Sequence, residues 1–304
     1  VIVSGIADDL FRAAAVWVGR LPAGLAIATA LAGAGFGAIS GSSTASAATL
    51  SATTIPSMIK HKYDPNLACG VVAISGTLAM LIPPSVAIVL YGIIADQSIG
   101  KLLIGGVIPG IMVALTIIAT VLVLYAIDPR RAPAAGRYSW REKLYSLRVA
   151  GPMIVLFTSV TGVIYLGVAT PTEASAIGAF GALGIALISR RLTLARLTAS
   201  LAGAAHTTCM IIMIILGAHV FGYFFTITQT TQGIVSAVAN AGLSRYVVLA
   251  FLIFMYLVLG CFMDQIAILI LTIPVVLPVV LSLGFDPIWF GILVIVTAEV
   301  GMVT

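Results

Sequence analysis

Long apolar stretches fill this chain, and the places where polar residues interrupt them organise it. Between positions 21 and 58 the run of small and apolar residues is broken by Ser40-Gly41-Ser42-Ser43-Thr44. Glycine is a poor helix former, and serine and threonine compete for nearby backbone groups, so this run predicts a break between two helices. In hydrocarbon a broken backbone is tolerated only where protein or a polar cavity satisfies the freed groups. Neither arm has the roughly 20 apolar residues needed to cross a bilayer. The pattern predicts a helical hairpin over 21–59 that enters a membrane and turns back, with its tip at 40–43.

On either side the pattern is equally punctuated. Residues 5–19 set Asp8, Asp9 and Arg12 against Leu10, Phe11, Val16 and Trp17, which predicts an amphipathic helix lying at the interface. Residues 67–95 are apolar but interrupted at Gly76-Thr77 and again at Pro83-Pro84-Ser85, where the prolines remove donors that Ala79 and Met80 would need. Helices are predicted over 102–127, 151–168, 174–188 and 201–225. A weaker, more polar helix follows over 226–244. A second hairpin spans 246–283 with a break near Asp264, and Phe285-Asp286-Pro287 opens a last helix. Thr170-Pro171-Thr172-Glu173 predicts a capping box, which accounts for Glu173 without any chemistry.

Composition turns this pattern into a class. Of 304 residues 61% are hydrophobic and only 8% charged, against roughly 25% charged in soluble domains. The fold class is all-α and polytopic, a multi-pass membrane protein. A net charge of +5 is then a topology signal rather than a nucleic-acid footprint, because the basic residues cluster. Residues 128–148 carry Arg130, Arg131, Arg137, Arg141, Lys143 and Arg148 against Asp128 and Glu142, and read as an aqueous cytoplasmic loop. The Arg190-Arg191 turn then falls on the same side. Working backwards, a hairpin over 21–59 keeps Arg12, Arg20, Lys60 and Lys62 inside as well, whereas a single crossing would not. Cys69, Cys209 and Cys261 lie in apolar stretches without metal-ligand spacing and read as packing residues. With no initiator Met, the chain reads as an internal piece of a longer protein.

A shift of 222 positions aligns the punctuation. It carries Pro56 onto Pro278, Asp64-Pro65 onto Asp286-Pro287, Ser42 onto Asp264 and Thr77 onto Glu299. Both halves then read as interfacial helix, interrupted hairpin, aromatic-Asp-Pro turn and broken helix. The second hairpin's exit turn lacks the basic residues of Lys60-His61-Lys62, which fits repeats of inverted topology. The domains are a first repeat over 1–127, a basic loop over 128–150 and a second repeat over 151–304. The repeat also predicts Pro-Pro directly after Thr304.

Two chemistries are expected at such breaks. An alkali cation needs oxygen ligands, and Ser40, Gly41 and Ser42 with the backbone at Gly76 and Thr77 supply them in the first half. Asp264 is the acid near the second tip, and Glu299 falls opposite Thr77. An ionised carboxylate at membrane depth costs roughly 2.5–3.5 kcal/mol on insertion scales, so Asp264 is expected to have a functional partner. An anionic substrate is expected where helix N-termini converge, at Ser42 and Ser43, with Ser85 and Asp264. His61, His206 and His219 read as structural.

At these residues the chain resembles the large membrane subunit of the tripartite ATP-independent periplasmic (TRAP) transporters. The resemblance rests on Gly37-Ala38-Ile39-Ser40-Gly41-Ser42-Ser43, Gly76-Thr77-Leu78 with Ile82-Pro83-Pro84-Ser85, Thr170-Pro171-Thr172-Glu173-Ala174 and Leu259-Gly260-Cys261-Phe262-Met263-Asp264. Ala79 departs from the pattern, where glycine is expected. The resemblance implies sodium-driven uptake of an organic acid, such as a C4-dicarboxylate or sugar acid, across a bacterial inner membrane. It implies a periplasmic substrate-binding protein and a small membrane (Q) subunit as partners, and Na+ in place of any organic cofactor. It also implies an elevator mechanism of the ion transporter superfamily type. The alternatives are a single-chain dicarboxylate or citrate carrier, and an intramembrane hydrolase using Ser42 or Ser43. The last finds no support, because no general base sits at recognisable spacing from either serine.

Overall fold

The computed structural model describes residues 6–133, 139–189, 192–240 and 242–304, and among these it is helical with no strand. Arg137, Arg190 and Arg191 of the predicted basic segments lie outside the described residues. Thirteen α-helices follow in order: α1 (Ile6–Val18), α2 (Gly24–Ser40), α3 (Ser43–Lys60), α4 (Pro65–Leu81), α5 (Val86–Ile94), α6 (Ile99–Ile127), α7 (Trp140–Tyr165), α8 (Pro171–Ile188), α9 (Leu194–Ile227), α10 (Thr230–Asn240), α11 (Arg245–Phe262), α12 (Gln265–Ser282) and α13 (Pro287–Val303). By length and composition six of the described helices can cross a membrane, or seven if α4 and α5 count as one broken span. The outer faces match that reading: Phe180, Met213 and Val220 are each about 70% exposed or more, as lipid-facing side chains are.

Helix ends follow the sequence chemistry. Asp64 and Asp286 cap α4 and α13 with proline in the first turn, and Thr170 and Glu173 form the predicted capping box on α8. A second box, Ser139 with Glu142, starts α7 at Trp140. Here the structure corrects the expected loop over 128–150: Arg141, Lys143 and Arg148 belong to the opening turns of α7. It also corrects the interruption expected at Gly76-Thr77, because α4 runs unbroken through both. Glycine costs a helix only about 1 kcal/mol, and packing against α3 outweighs that. The Pro83-Pro84 break is present as expected, with Ser85 Oγ donating to the Met80 carbonyl.

The chain packs as two compact units: residues 1–85 with 106–192, and residues 86–105 with 193–304. In the first, α1–α4 enclose a core of Phe11, Leu25, Leu50, Met58, Val71 and Val121, all nearly inaccessible. Helices α2 and α3 fold back on each other, since Thr29 Oγ1, twelve residues before Gly41, lies 3.7 Å from Met58 Sδ. Tyr63 closes the open end of this hairpin, its hydroxyl accepting the Leu25 N–H at 3.2 Å. Burial pushes the Tyr63 phenol up from its ordinary pKa, so the hydroxyl stays neutral through the physiological range. In the second unit α11 and α12 fold back likewise, with Tyr256 and Thr272 hydroxyls 2.9 Å apart. Tyr91 on α5 donates to the Pro287 carbonyl at the start of α13, and its ring lies against Gly291.

The shift of 222 positions carries α3 onto α12 and α4 onto α13 end for end, and α2 onto α11 within one residue. The three cysteines are free and lie on exposed helix faces, so they are not the interior packing residues expected. An apolar stretch exposes one side to lipid as readily as it buries the other, and position along it does not say which.

Candidate functional site

The break between α2 and α3 is built by three residues. Ser40 ends α2, and Gly41 turns the chain at a φ of 62°, its N–H reaching the Gly37 carbonyl at 2.8 Å. Left-handed backbone of this kind strains any residue with a Cβ. Ser42 then caps α3 by accepting the Ala45 N–H. Ser40 Oγ turns inward to Ser46 Oγ at 2.6 Å. The first-turn N–H groups of α3 open at the break, leaving a positive helix end there.

This tip is pressed against α4. A Cβ at Gly37 would come within 2.6 Å of the Ala79 Cα, and one at Gly76 within 2.8 Å of the Ala47 Cβ. The room that a glycine at position 79 would leave on α4 is supplied instead by Gly37 on the facing helix. The close crossings join α4 to the hairpin on either side of its tip, at Gly37 before the break and at Ala47 after it. Thr77 Oγ1 donates to the Ile74 carbonyl at 2.7 Å within its own helix. Two hydroxyls stand out: Ser43 Oγ and Ser75 Oγ are both buried, and neither has a hydrogen-bond partner among the described residues. Each sits within one turn of the Gly76–Ala47 contact.

The second unit repeats the construction. Asp264 caps α12, its carboxylate accepting the Ile266 N–H at 3.1 Å, and it is exposed. Next to it Gln265 is buried, donating Nε2–H to the Ile295 carbonyl at 3.1 Å while Oε1 has no partner among the described residues. A Cβ at Gly260 would meet the Ala298 carbonyl and Gly301, so this tip presses on α13 beside Glu299. Glu299 is 2% exposed. Ser75 and Gln265 escaped the sequence reading, yet the shift of 222 carries Ser43 onto Gln265 and Ser75 onto Thr297. That offset was the signal that would have found them.

A family model described as the DctM component of the tripartite ATP-independent periplasmic transporters matches residues 1–304. The chain belongs to this family of TRAP transporter large permeases. It is 36% identical over 301 residues to the C4-dicarboxylate TRAP transporter large permease protein DctM of Pseudomonas aeruginosa, covering 99% of this chain and 70% of that one. It is 32% identical to the sialic acid TRAP transporter large permease protein SiaM of Vibrio cholerae, covering 99% and 70%. It is 30% identical to the ectoine/5-hydroxyectoine TRAP transporter large permease protein UehC of Ruegeria pomeroyi, covering 98% and 69%. As a TRAP large permease the chain is a transporter and not an enzyme, and it is a multi-pass protein of a bacterial inner membrane. The relatives' names give C4-dicarboxylate, sialic acid and ectoine/5-hydroxyectoine, so family membership leaves the substrate open.

Proposed function

We propose that this permease carries out sodium-coupled uptake of an organic acid, a C4-dicarboxylate, sugar acid or similar carboxylate. It would work with a periplasmic substrate-binding protein and a small membrane subunit. The observation that carries the cation reading is the set of buried oxygens left unpaired at the two tips: Ser43 Oγ and Ser75 Oγ in one unit, Gln265 Oε1 in the other. A buried polar atom without a partner costs about 1–3 kcal/mol, and an alkali cation bound by oxygens removes that cost. Ser40, Gly41, Ser42, Gly76 and Thr77 are assigned to sodium at the first tip together with the Ser43 and Ser75 hydroxyls, and Asp264 and Glu299 to sodium at the second together with Gln265 Oε1. Ser42, Ser43 and Ser85 are assigned to the substrate at the first tip and Asp264 at the second, where helix N-termini favour an anion. The halves 1–127 and 151–304 act as inverted repeats, and each hairpin moves with its broken helix in an elevator step.

Reconstitution of the complete transporter tests this reading. Uptake should require both an inward sodium gradient and the binding protein. Asp264→Asn separates charge from capping, because asparagine caps a helix as well as aspartate does. It should raise the sodium concentration needed for half-maximal uptake by about tenfold, the equivalent of about 1.4 kcal/mol. Uptake indifferent to sodium would overturn the coupling, and an unchanged sodium dependence in Asp264→Asn would overturn the role of Asp264. Sodium-driven uptake without a binding protein would favour a single-chain carrier.

A further inference from the structure

Helix α1 and the opening turns of α7 line a cleft of about 760 Å3 in the first unit, and no residue of the 40–43 break is among its lining. Its lining includes Arg12 and Arg141 together with the apolar Ala13, Val16 and Val149. Neither arginine has an ion-pair partner among the described residues. The two acids at the cleft are already engaged. The Glu142 carboxylate accepts the Ser139 N–H at 2.6 Å, and Asp9 has a contact within the protein. On the same two helices the Lys143 ammonium lies 5.5 Å from the Trp17 ring centre and 5.2 Å from that of Trp140. Tryptophan with lysine between is the residue pattern of the headgroup layer.

We propose that the α1–α7 cleft binds the headgroup of an anionic phospholipid from the cytoplasmic leaflet. The phosphate sits between Arg12 and Arg141, and the glycerol and first acyl carbons lie over Val16 and Val149. Planar guanidinium groups are suited to phosphate oxygens, and the exposed Tyr145 side chain beside them offers a further donor. The apolar lining distinguishes a lipid from a free anion, since inorganic phosphate gains nothing from Ala13, Val16 and Val149. The inference needs only that this end of the unit meets the membrane surface, and it is independent of the cation and substrate assignments. Bound lipid would tie α1, the helix leading into the first hairpin, to α7.

The test is native mass spectrometry of the complete, delipidated transporter titrated with phosphatidylglycerol, phosphatidylcholine or inorganic phosphate. Phosphatidylglycerol should be retained over phosphatidylcholine, and Arg12→Gln and Arg141→Gln should each weaken its retention by about fivefold. Inorganic phosphate should not compete at millimolar concentration. A photoactivatable phosphatidylglycerol should label peptides containing residues 12–16 and 141–149 of the unmodified chain, a result that needs no variant to fold. Labelling elsewhere, equal retention of the two lipids, undiminished retention in the arginine variants, or displacement by free phosphate would each overturn the proposal. So would a cleft shielded by a partner subunit whether or not lipid is present.

Discussion

At the scale of single residues, the first tip is held by backbone geometry, and beside each tip lies a buried polar atom unpaired among the described residues. Gly41 takes a left-handed φ that a Cβ disfavours by about 1–2 kcal/mol. Gly41→Ala should therefore lower the unfolding free energy of the purified protein by an amount of that order, read as a lower thermal unfolding midpoint. Ser75→Ala separates structure from binding. With its hydroxyl buried and unpaired, removal in sodium-free buffer should leave stability unchanged or raise it by up to about 1 kcal/mol. The same variant should lose part of the stabilisation that added sodium confers, measured by thermal unfolding with and without sodium. A Ser75→Ala protein stabilised by sodium as strongly as the parent would remove this hydroxyl from the ion site.

At the scale of elements, each hairpin is positioned by one helix crossing made close by glycine. Gly37 lies against Ala79 backbone with no space for a side chain, whereas Gly70 on α4 has nothing within 4 Å of its missing Cβ. Gly37→Val should destabilise the protein by about 1–3 kcal/mol through overpacking. Gly70→Ala should raise stability by up to about 1 kcal/mol through helix propensity. Equal effects on the unfolding midpoint would show that the α2–α4 crossing is not the constraint. Tyr63 matters in the same way at the hairpin's open end. Tyr63→Phe leaves the buried Leu25 N–H without its acceptor and should cost about 1–3 kcal/mol, measured by the same unfolding.

For the whole molecule, the correspondence between α2–α4 and α11–α13 is the feature with the longest reach. The Asp64 N–H donates to the Arg131 carbonyl, and Lys143 lies over Trp17, so the basic segments of the first unit gather near one another. The positive-inside tendency predicts that the exit of α3 faces the cytoplasm. If the halves are inverted, the equivalent exit of α12 faces the periplasm. Lys60→Cys and Ser282→Cys, equivalent under the shift of 222, should react with a membrane-impermeant thiol reagent from opposite sides. The native cysteines would first be replaced. Labelling of both from one side would exclude inversion.

Much of this was legible without coordinates, and the physical reason is that membrane sequences punctuate themselves. Backbone groups freed in hydrocarbon are costly, so breaks appear only where glycine, proline and small polar residues build them. Both tips, the Pro83-Pro84 break and the Thr170–Glu173 box could therefore be read directly. Caps within charged segments and glycines within helices are local features whose outcome packing decides. That is why α7 begins at Trp140 and why α4 runs through Gly76. Only the tertiary structure could show that Ser75 and Gln265 are buried with an oxygen unpaired, because burial depends on which helix lies across from a residue. For the same reason it alone showed that Gly37 provides the room missing at Ala79. The sequence determined where the backbone had to break, and the packing of α4 and α13 against those breaks decided which oxygens were left facing inward.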